Sequence, residues 1–205
     1  SSFNTACPEI IWFYCNQAPS KNSKGGETTI CDGIMIWDKL SLKTKKFFLA
    51  NCIEYFLKIK INLANNFKHK RKWFLNNIGV TNPVLNPKTS TLDFIQKTFA
   101  VNETRLPGKL AFANHLLIDL KYEPQIIYRK IAGKKMLPKN INKEINKIVK
   151  KYTFKIKWQN GDLVMLDNKR FMHGRTKFKV KSKREIINVQ TKLSNFGYGS
   201  TSRKI

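Results

Sequence analysis

A chain of 205 residues with 41% hydrophobic content can bury a core as a single domain, which argues against wholesale disorder. It holds no apolar run near the roughly 18 residues that a membrane helix needs, and no signal peptide precedes a cleavage site. The cysteines form no C-x-x-C pair, so we expect free thiols in a cytoplasmic protein rather than a zinc site; they are Cys7, Cys15, Cys31 and Cys52.

The charge is strongly positive, with 39 lysines and arginines against 13 acidic residues and a net charge of +26. Such an excess alone would suggest a nucleic acid or an anionic membrane surface as the partner. The positive charge is mostly lysine, scattered among asparagines and isoleucines, which is typical of a lysine- and asparagine-rich proteome. The denser runs at 68–72 and 179–184 are short and typical of solvated faces. We therefore do not expect nucleic-acid or membrane binding, and an anionic small molecule or carrier stays open as a partner.

The N-terminal part of the chain is predicted to alternate strands, turns and helices. Residues 10–14 form an apolar strand, and the glycines at 25 and 26 let the backbone turn tightly before Thr28 offers a hydroxyl at the start of the next strand. From spacing alone, an ordinary hairpin loop with a strand threonine is the favoured explanation of this segment. Residues 38–51 are predicted as a helix with Ser41 as its N-cap, and residues 54–62 alternate like a half-buried strand.

The middle of the chain is less regular. Residues 65–77 are basic, contain His69, and are predicted as a surface helix, whereas Pro83 and Pro87 predict a loop at 81–90. Residues 92–101 and 109–120 are predicted as strands or strand–helix mixtures. Residues 138–151 then form an amphipathic helix, with Pro138 in its first turn.

The C-terminal stretch 158–184 predicts two successive hairpins. Asn160-Gly161 and Asp167-Asn168 are turn dipeptides flanking an apolar strand at 163–166. His173 is placed on the following short strand, and Arg184 on the next strand of the same sheet. A histidine and an arginine on neighbouring strands can point into one cavity.

Two motifs in this order resemble the iron(II)/2-oxoglutarate-dependent dioxygenases of the taurine dioxygenase and clavaminate synthase-like family. One is W-Q-N-G-D-L-V-M-L-D-N-K-R-F-M-H, which ends at His173; the other is P-E-I-I-W-F-Y-C followed by G-G-E-T, which ends at Thr28. The resemblance implies a mainly β fold with flanking helices: a double-stranded β-helix, the jelly-roll or cupin-like barrel, incomplete at its N-terminal side. It also implies one oxygenase domain over 1–205 with a variable lid region at 62–137. Residues 196–205, with their glycines and serines, are predicted as a frayed tail.

The resemblance also implies roles for single residues. His173 would be an iron ligand, and Arg184 would bind the far carboxylate of the cosubstrate 2-oxoglutarate with help from Thr28. The other two iron ligands form an H-x-[DE] motif, which counting back from Pro8 places just upstream of Ser1. Asn114 or His115 would face substrate, although His115 also fits a hydrogen-bonded core histidine. Arg175 fits either a substrate contact or the sheet surface, and Asn188 stands where the family often has another basic residue.

The expected activity is the hydroxylation, or a related oxidation, of a small molecule with release of succinate and CO2. An amino-acid-derived substrate is one option. The alternative is a catalytically incompetent, truncated barrel that acts as a basic binding module. The feature that separates the two is whether an H-x-[DE] motif precedes Ser1 in the parent chain.

Overall fold

The computed structural model describes residues 8–20, 22–60, 80–178 and 183–191. The predicted helix at 65–77, the tail at 196–205, Cys7 and most of the basic run at 179–184 lie outside these ranges. Within them, no helix is long and apolar enough to cross a membrane.

The described residues are mainly β and include three α-helices. The helices are α1 (Gly33–Lys39), α2 (Leu42–Ala50) and α3 (Lys139–Tyr152). The strands are β1 (Ile10–Gln17), β2 (Thr28–Asp32), β3 (Ile53–Lys60), β4 (Val80–Asn86), β5 (Thr91–Thr98), β6 (Val101–Glu103), β7 (Leu110–Phe112), β8 (Ile126–Ile131), β9 (Thr153–Lys155), β10 (Leu163–Asp167), β11 (Phe171–Arg175) and β12 (Glu185–Thr191).

Two three-stranded antiparallel sheets carry the two motif segments. One has the strand order β10-β1-β12 and the other β11-β2-β9. Along β1, the alternate residues Ile11, Phe13 and Cys15 are buried, as expected of a strand with one face in a core. They form one hydrophobic cluster with Ile30 of β2 and with Trp158 and Leu166. Both sheets therefore contribute to the same interior.

The predicted pair of hairpins was wrong. A tight turn at 168–170 joins β10 to β11, but β10 pairs with β1 whereas β11 pairs with β2. Arg184 lies just before β12, which pairs with β1, so His173 and Arg184 belong to different sheets. Turn residues indicate that the chain reverses direction, but they do not indicate which strand the following segment pairs with.

The outer face of the β10-β1-β12 sheet is apolar and uncovered among the described residues. The strand register aligns Leu163, Tyr14 and Ile187 in one row across the sheet, and Met165, Trp12 and Val189 in the next. Apart from the half-buried Trp12, these side chains are 41% to 61% exposed. We call these six residues the apolar outer face.

A four-stranded antiparallel sheet of order β4-β5-β3-β8 accompanies these two sheets in the chain. Its buried side chains, among them Tyr55 and Phe94, pack with residues of all three helices in the larger hydrophobic cluster. The strand predicted at 54–62 is confirmed as β3. The loop predicted at 81–90 was wrong, since its first part is β4. Strand β4 is an edge strand whose register shifts between Thr81 and Val84, and an edge or a bulge is where a sheet accepts proline.

Residues 38–51, predicted as one helix, hold α2 and only the last two residues of α1. Asp32 caps α1 by accepting a hydrogen bond from Ile34 N, and Ser41 caps α2 as predicted, by accepting from Thr44 N. The break falls at Leu40, whose backbone is extended. The amphipathic helix predicted at 138–151 is confirmed as α3, with Ile141 and Ile145 buried. Pro138 occupies its N-cap rather than its first turn.

Candidate active site

Thr28 lies at the centre of a group of hydrogen-bond donors. It is buried at the first position of β2, with 4% exposure. Arg184 Nη2 donates to its Oγ1 at 2.6 Å, and Trp158 Nε1 donates to the same oxygen at 3.0 Å. A hydroxyl oxygen has two lone pairs and one hydrogen, so these two bonds use its accepting capacity. The hydroxyl hydrogen of Thr28 is left to be donated to another group.

Arg184 adds a second donor to this place. Its Nε is buried and has no hydrogen-bond partner among the described residues. Burial, and then the nearby charge of Arg175, lower the pKa of Arg184 from its ordinary value. Leaving a buried donor without a partner costs about 1–3 kcal/mol. The site is therefore rich in donors and matched to an acceptor that carries negative charge.

Arg175 lies directly across the β2–β11 ladder from Thr28, so the two side chains leave the same face of that sheet. Its guanidinium carbon is 5.7 Å from the centroid of the Phe178 ring. The Phe178 ring in turn fills the space over Gly26, where an added Cβ would lie 2.1 Å from Phe178 Cε1. Gly26 also has φ +77°, so the glycine is required both by the backbone and by the ring.

His173 occupies the next inward position along β11, two residues before Arg175 and across from Ile30. Its ring meets the buried Phe13 ring edge-on, with centroids 5.4 Å apart. His173 as a residue is exposed, yet desolvation of its imidazole ring lowers the pKa of His173. A lowered pKa keeps the imidazole neutral at pH 7, which is the form that binds a metal.

The residues expected on the substrate side have the following places. Asn114 Nδ2 donates to Ala100 O at 2.7 Å, and Asn114 Oδ1 accepts from Leu116 N at 2.8 Å, so each end of its amide has a backbone partner. His115 is half-buried, and burial chiefly lowers its pKa to about 4, with His173 among the contributing charges. Its substrate role and that of Asn114 stay predictions.

Asn188 lies on β12 directly across from Phe13, the residue whose ring contacts His173. Gln190 Nε2 donates to Asn188 Oδ1 at 3.2 Å. An amide pair therefore stands on this strand where the family resemblance led us to look for a second basic residue.

Two carboxylates near the site were not assigned a role from the sequence. Glu27 accepts from Thr176 Oγ1 and from Lys155 Nζ, and these bonds, the first foremost, lower the pKa of Glu27 to about 2. Asp32 receives two bonds from Arg170, the shorter at 2.6 Å. The only sequence signal was their place next to turns. Glu27 thereby connects the start of β2, and Asp32 its end, to the neighbouring segments to which they are hydrogen-bonded.

No group of three or more His, Cys, Asp or Glu residues that could hold a metal ion occurs within the described ranges. His173 therefore belongs to no three-ligand group among them. Asp167 and Asn168 instead shape the turn, since Asp167 Oδ1 accepts from Lys169 N and Asn168 Nδ2 donates to Pro8 O. The structure brings Thr28, Arg175 and Arg184 together, with His173 beside Arg175 on the same face.

The family model described as "Taurine catabolism dioxygenase TauD, TfdA family" matches residues 1–190. The chain belongs to this family. A curated relative, the 3-((Z)-2-isocyanoethenyl)-1H-indole synthase of Fischerella ambigua, is 24% identical over 192 residues, which are 92% of this chain and 59% of the relative. The chain thus spans 59% of the length of that relative.

Solved structures of family-like proteins share the fold. PvcB from Pseudomonas aeruginosa matches with a TM-score of 0.60 at 14% identity, covering 93% of this chain and 54% of that one. AAD-2, crystallised with Mn(II) and N-oxalylglycine, matches with a TM-score of 0.57 at 17% identity, covering 93% and 66%. A taurine dioxygenase from Burkholderia xenovorans gives 0.51 at 13% identity, covering 92% and 55%. At these identities the likeness establishes the fold alone.

Proposed function

We propose that the chain forms the 2-oxoglutarate site and supplies one iron ligand of an iron(II)/2-oxoglutarate-dependent oxygenase. The observation that carries the proposal is the convergence of Thr28, Trp158 and Arg184, which leaves donors without acceptors in a family of dioxygenases. Family membership and the shared interior of the two three-stranded sheets support the finer assignment of the fold as a double-stranded β-helix. The proposed enzyme acts in the cytoplasm as a single domain, with 62–137 as its lid region.

The donor set fits the far carboxylate of 2-oxoglutarate. A carboxylate offers several lone pairs and no hydrogen, so it can accept both from Arg184 Nε and from the Thr28 hydroxyl. Trp158 fixes the direction of that hydroxyl by occupying one of its lone pairs. These residues would bind and orient the cosubstrate without a change of protonation, because the guanidinium stays charged at pH 7.

His173 is the proposed iron ligand on this chain. Its lowered pKa provides the neutral imidazole, and the edge-on Phe13 ring restricts its orientation. The other two ligands, expected upstream of Ser1, stay a prediction. When bound, iron(II) and 2-oxoglutarate would supply the oxidation of a substrate C–H group, with release of succinate and CO2. Imidazole and carboxylate ligands with open positions are typical of this chemistry.

The proposed substrate is a small molecule. The name of the Fischerella ambigua relative, which makes an isocyanoethenyl indole, supports that class. Asn114 is a proposed substrate-side residue that would act by holding the turn that presents His115. Arg175 is open to substrate and to cosubstrate, since it lies directly across from Thr28 on the same face of the sheet.

Binding of N-oxalylglycine, measured calorimetrically with and without Mn(II) on a chain that extends upstream of Ser1 through the expected H-x-[DE] motif, tests the proposal. We expect Arg184→Gln to weaken binding by about tenfold or more, because a charge-assisted bond is lost. Mn(II) should raise the affinity of the parent protein and leave that of His173→Ala unchanged. Lys43→Gln, which removes one exposed charge on α2, is the control for net charge. Equal affinities in all four proteins would refute the carboxylate site.

A basic binding module is the second candidate function, favoured by the charge of +26. It predicts N-oxalylglycine binding that depends on Arg184 and is indifferent to Mn(II). The same titration therefore separates the two functions.

A further inference from the structure

Two guanidinium groups lie near Thr28, that of the half-buried Arg184 and that of the exposed Arg175. Arg184 reaches Thr28 from the segment before β12, and Arg175 leaves β11 directly opposite Thr28. The proximity of the two charges also appears in the depressed pKa of Arg184. Like charges in a partly buried place repel each other and raise the energy of the ligand-free protein.

No acidic side chain among the described residues compensates this pair. The described arginines that do form salt bridges are Arg105 and Arg170, whose partners are Glu9, Asp167 and Asp32. Glu27, the carboxylate just before Thr28, is already bound by Lys155 and Thr176. The positive charge at Thr28 is therefore left for a ligand.

Arg175 is also held in place rather than free to swing away. Its guanidinium lies over the Phe178 ring, which is seated on Gly26 with no room for a Cβ between them. A guanidinium on an aromatic face keeps its edge N–H groups for other acceptors.

We infer that Arg175 is a second cationic residue of the carboxylate site, so that the far carboxylate of the ligand lies between Arg175 and Arg184. The inference rests on the proposed function, and it assigns Arg175 to the cosubstrate rather than to the substrate. A site with two guanidinium groups binds that carboxylate more strongly than a site with one. It also gains more from ligand binding, because the ligand removes the repulsion between the arginines.

The inference predicts opposite effects of one substitution on stability and on binding. Arg175→Gln relieves the repulsion, so the melting temperature of the ligand-free protein rises by about 1–2 °C. The same change removes a charge-assisted bond to the ligand and weakens binding by about tenfold. Arg175→Lys keeps the charge but loses the planar fork, so its affinity for the ligand should lie between those of the parent protein and Arg175→Gln. A purely structural arginine would show a lower melting temperature and unchanged binding.

Glutarate is the probe, because it has both carboxylates but no keto group to bind a metal. Its affinity and thermal shift are measured at fixed ionic strength for the parent protein, Arg175→Gln, Arg175→Lys, Arg184→Gln and the charge control Lys43→Gln. Weaker binding in both arginine-to-glutamine variants, with a raised melting temperature in Arg175→Gln, supports the inference. Loss of glutarate binding in Arg184→Gln alone refutes the role of Arg175 and leaves the proposed function supported. Equal binding by all variants, or none by the parent protein, overturns both.

Discussion

Trp158→Phe tests whether the indole N–H orients the Thr28 hydroxyl. Trp158 is 7% exposed within the cluster between the two three-stranded sheets, and its Nε1 lies 3.0 Å from Thr28 Oγ1. Losing a buried neutral hydrogen bond costs about 1 kcal/mol. The smaller ring leaves a cavity that costs roughly another 1–2 kcal/mol. We expect the free energy of unfolding to fall by about 2–3 kcal/mol in total.

The same substitution should also weaken ligand binding. With one lone pair freed, the Thr28 hydroxyl can turn its hydrogen away from the ligand, so we expect glutarate affinity to fall about threefold to tenfold. Trp37→Phe is the control, since Trp37 is equally buried, at 8% exposure, in the other hydrophobic cluster. Urea unfolding gives the stability and calorimetry gives the affinity. Unchanged affinity in Trp158→Phe, with the same stability loss as Trp37→Phe, would refute the orienting role.

Two further predictions concern the segment before β2. Gly26→Ala should destabilise the protein by about 2–4 kcal/mol and weaken glutarate binding, because it strains a positive φ and displaces the Phe178 ring next to the Arg175 guanidinium. Urea unfolding measures the stability and calorimetry measures the affinity. Unchanged glutarate affinity would contradict the argument. The pKa of Glu27 is lowered to about 2 from 4.5, so the stability from its bonds is complete above pH 4.5 and is lost as the pH falls towards 2. Glu27→Gln should flatten the unfolding free energy over that window, whereas the control Glu103→Gln, on β6, should not; equal curves for the parent and Glu27→Gln would contradict the assignment.

Local periodicity predicted the elements whose burial pattern is regular. The alternation of β3 and the isoleucine stripe of α3 are visible in the sequence because each element has one buried face. The turn at Gly161 and the strand β10 were also predictable, since turn residues flank an apolar run. Helix α1 was missed because its cap, Asp32, lies at the end of a strand, where an aspartate also fits a turn.

The geometry of the site could not be read from the sequence. Spacing placed His173 and Arg184 close in the chain, but their assignment to one sheet was wrong because pairing is decided by β1 and β2, more than a hundred residues away. The bond between Trp158 and Thr28 joins the two motifs themselves, and no local pattern encodes such a contact. The loop predicted from Pro83 was wrong for a related reason. Proline is excluded from central strands, and only the tertiary fold makes β4 an edge strand.

The apolar outer face makes the colloidal behaviour of these 205 residues depend on ionic strength. Its side chains favour association between copies, whereas the net charge of +26 on each copy opposes it. The charge repulsion reaches about 10 Å at 0.1 M salt and about 3 Å at 1 M, while the apolar attraction is not screened. Added salt should therefore drive association, which light scattering would detect, and Met165→Lys should raise the salt concentration at which it begins. Purification at low ionic strength would then keep the protein monodisperse.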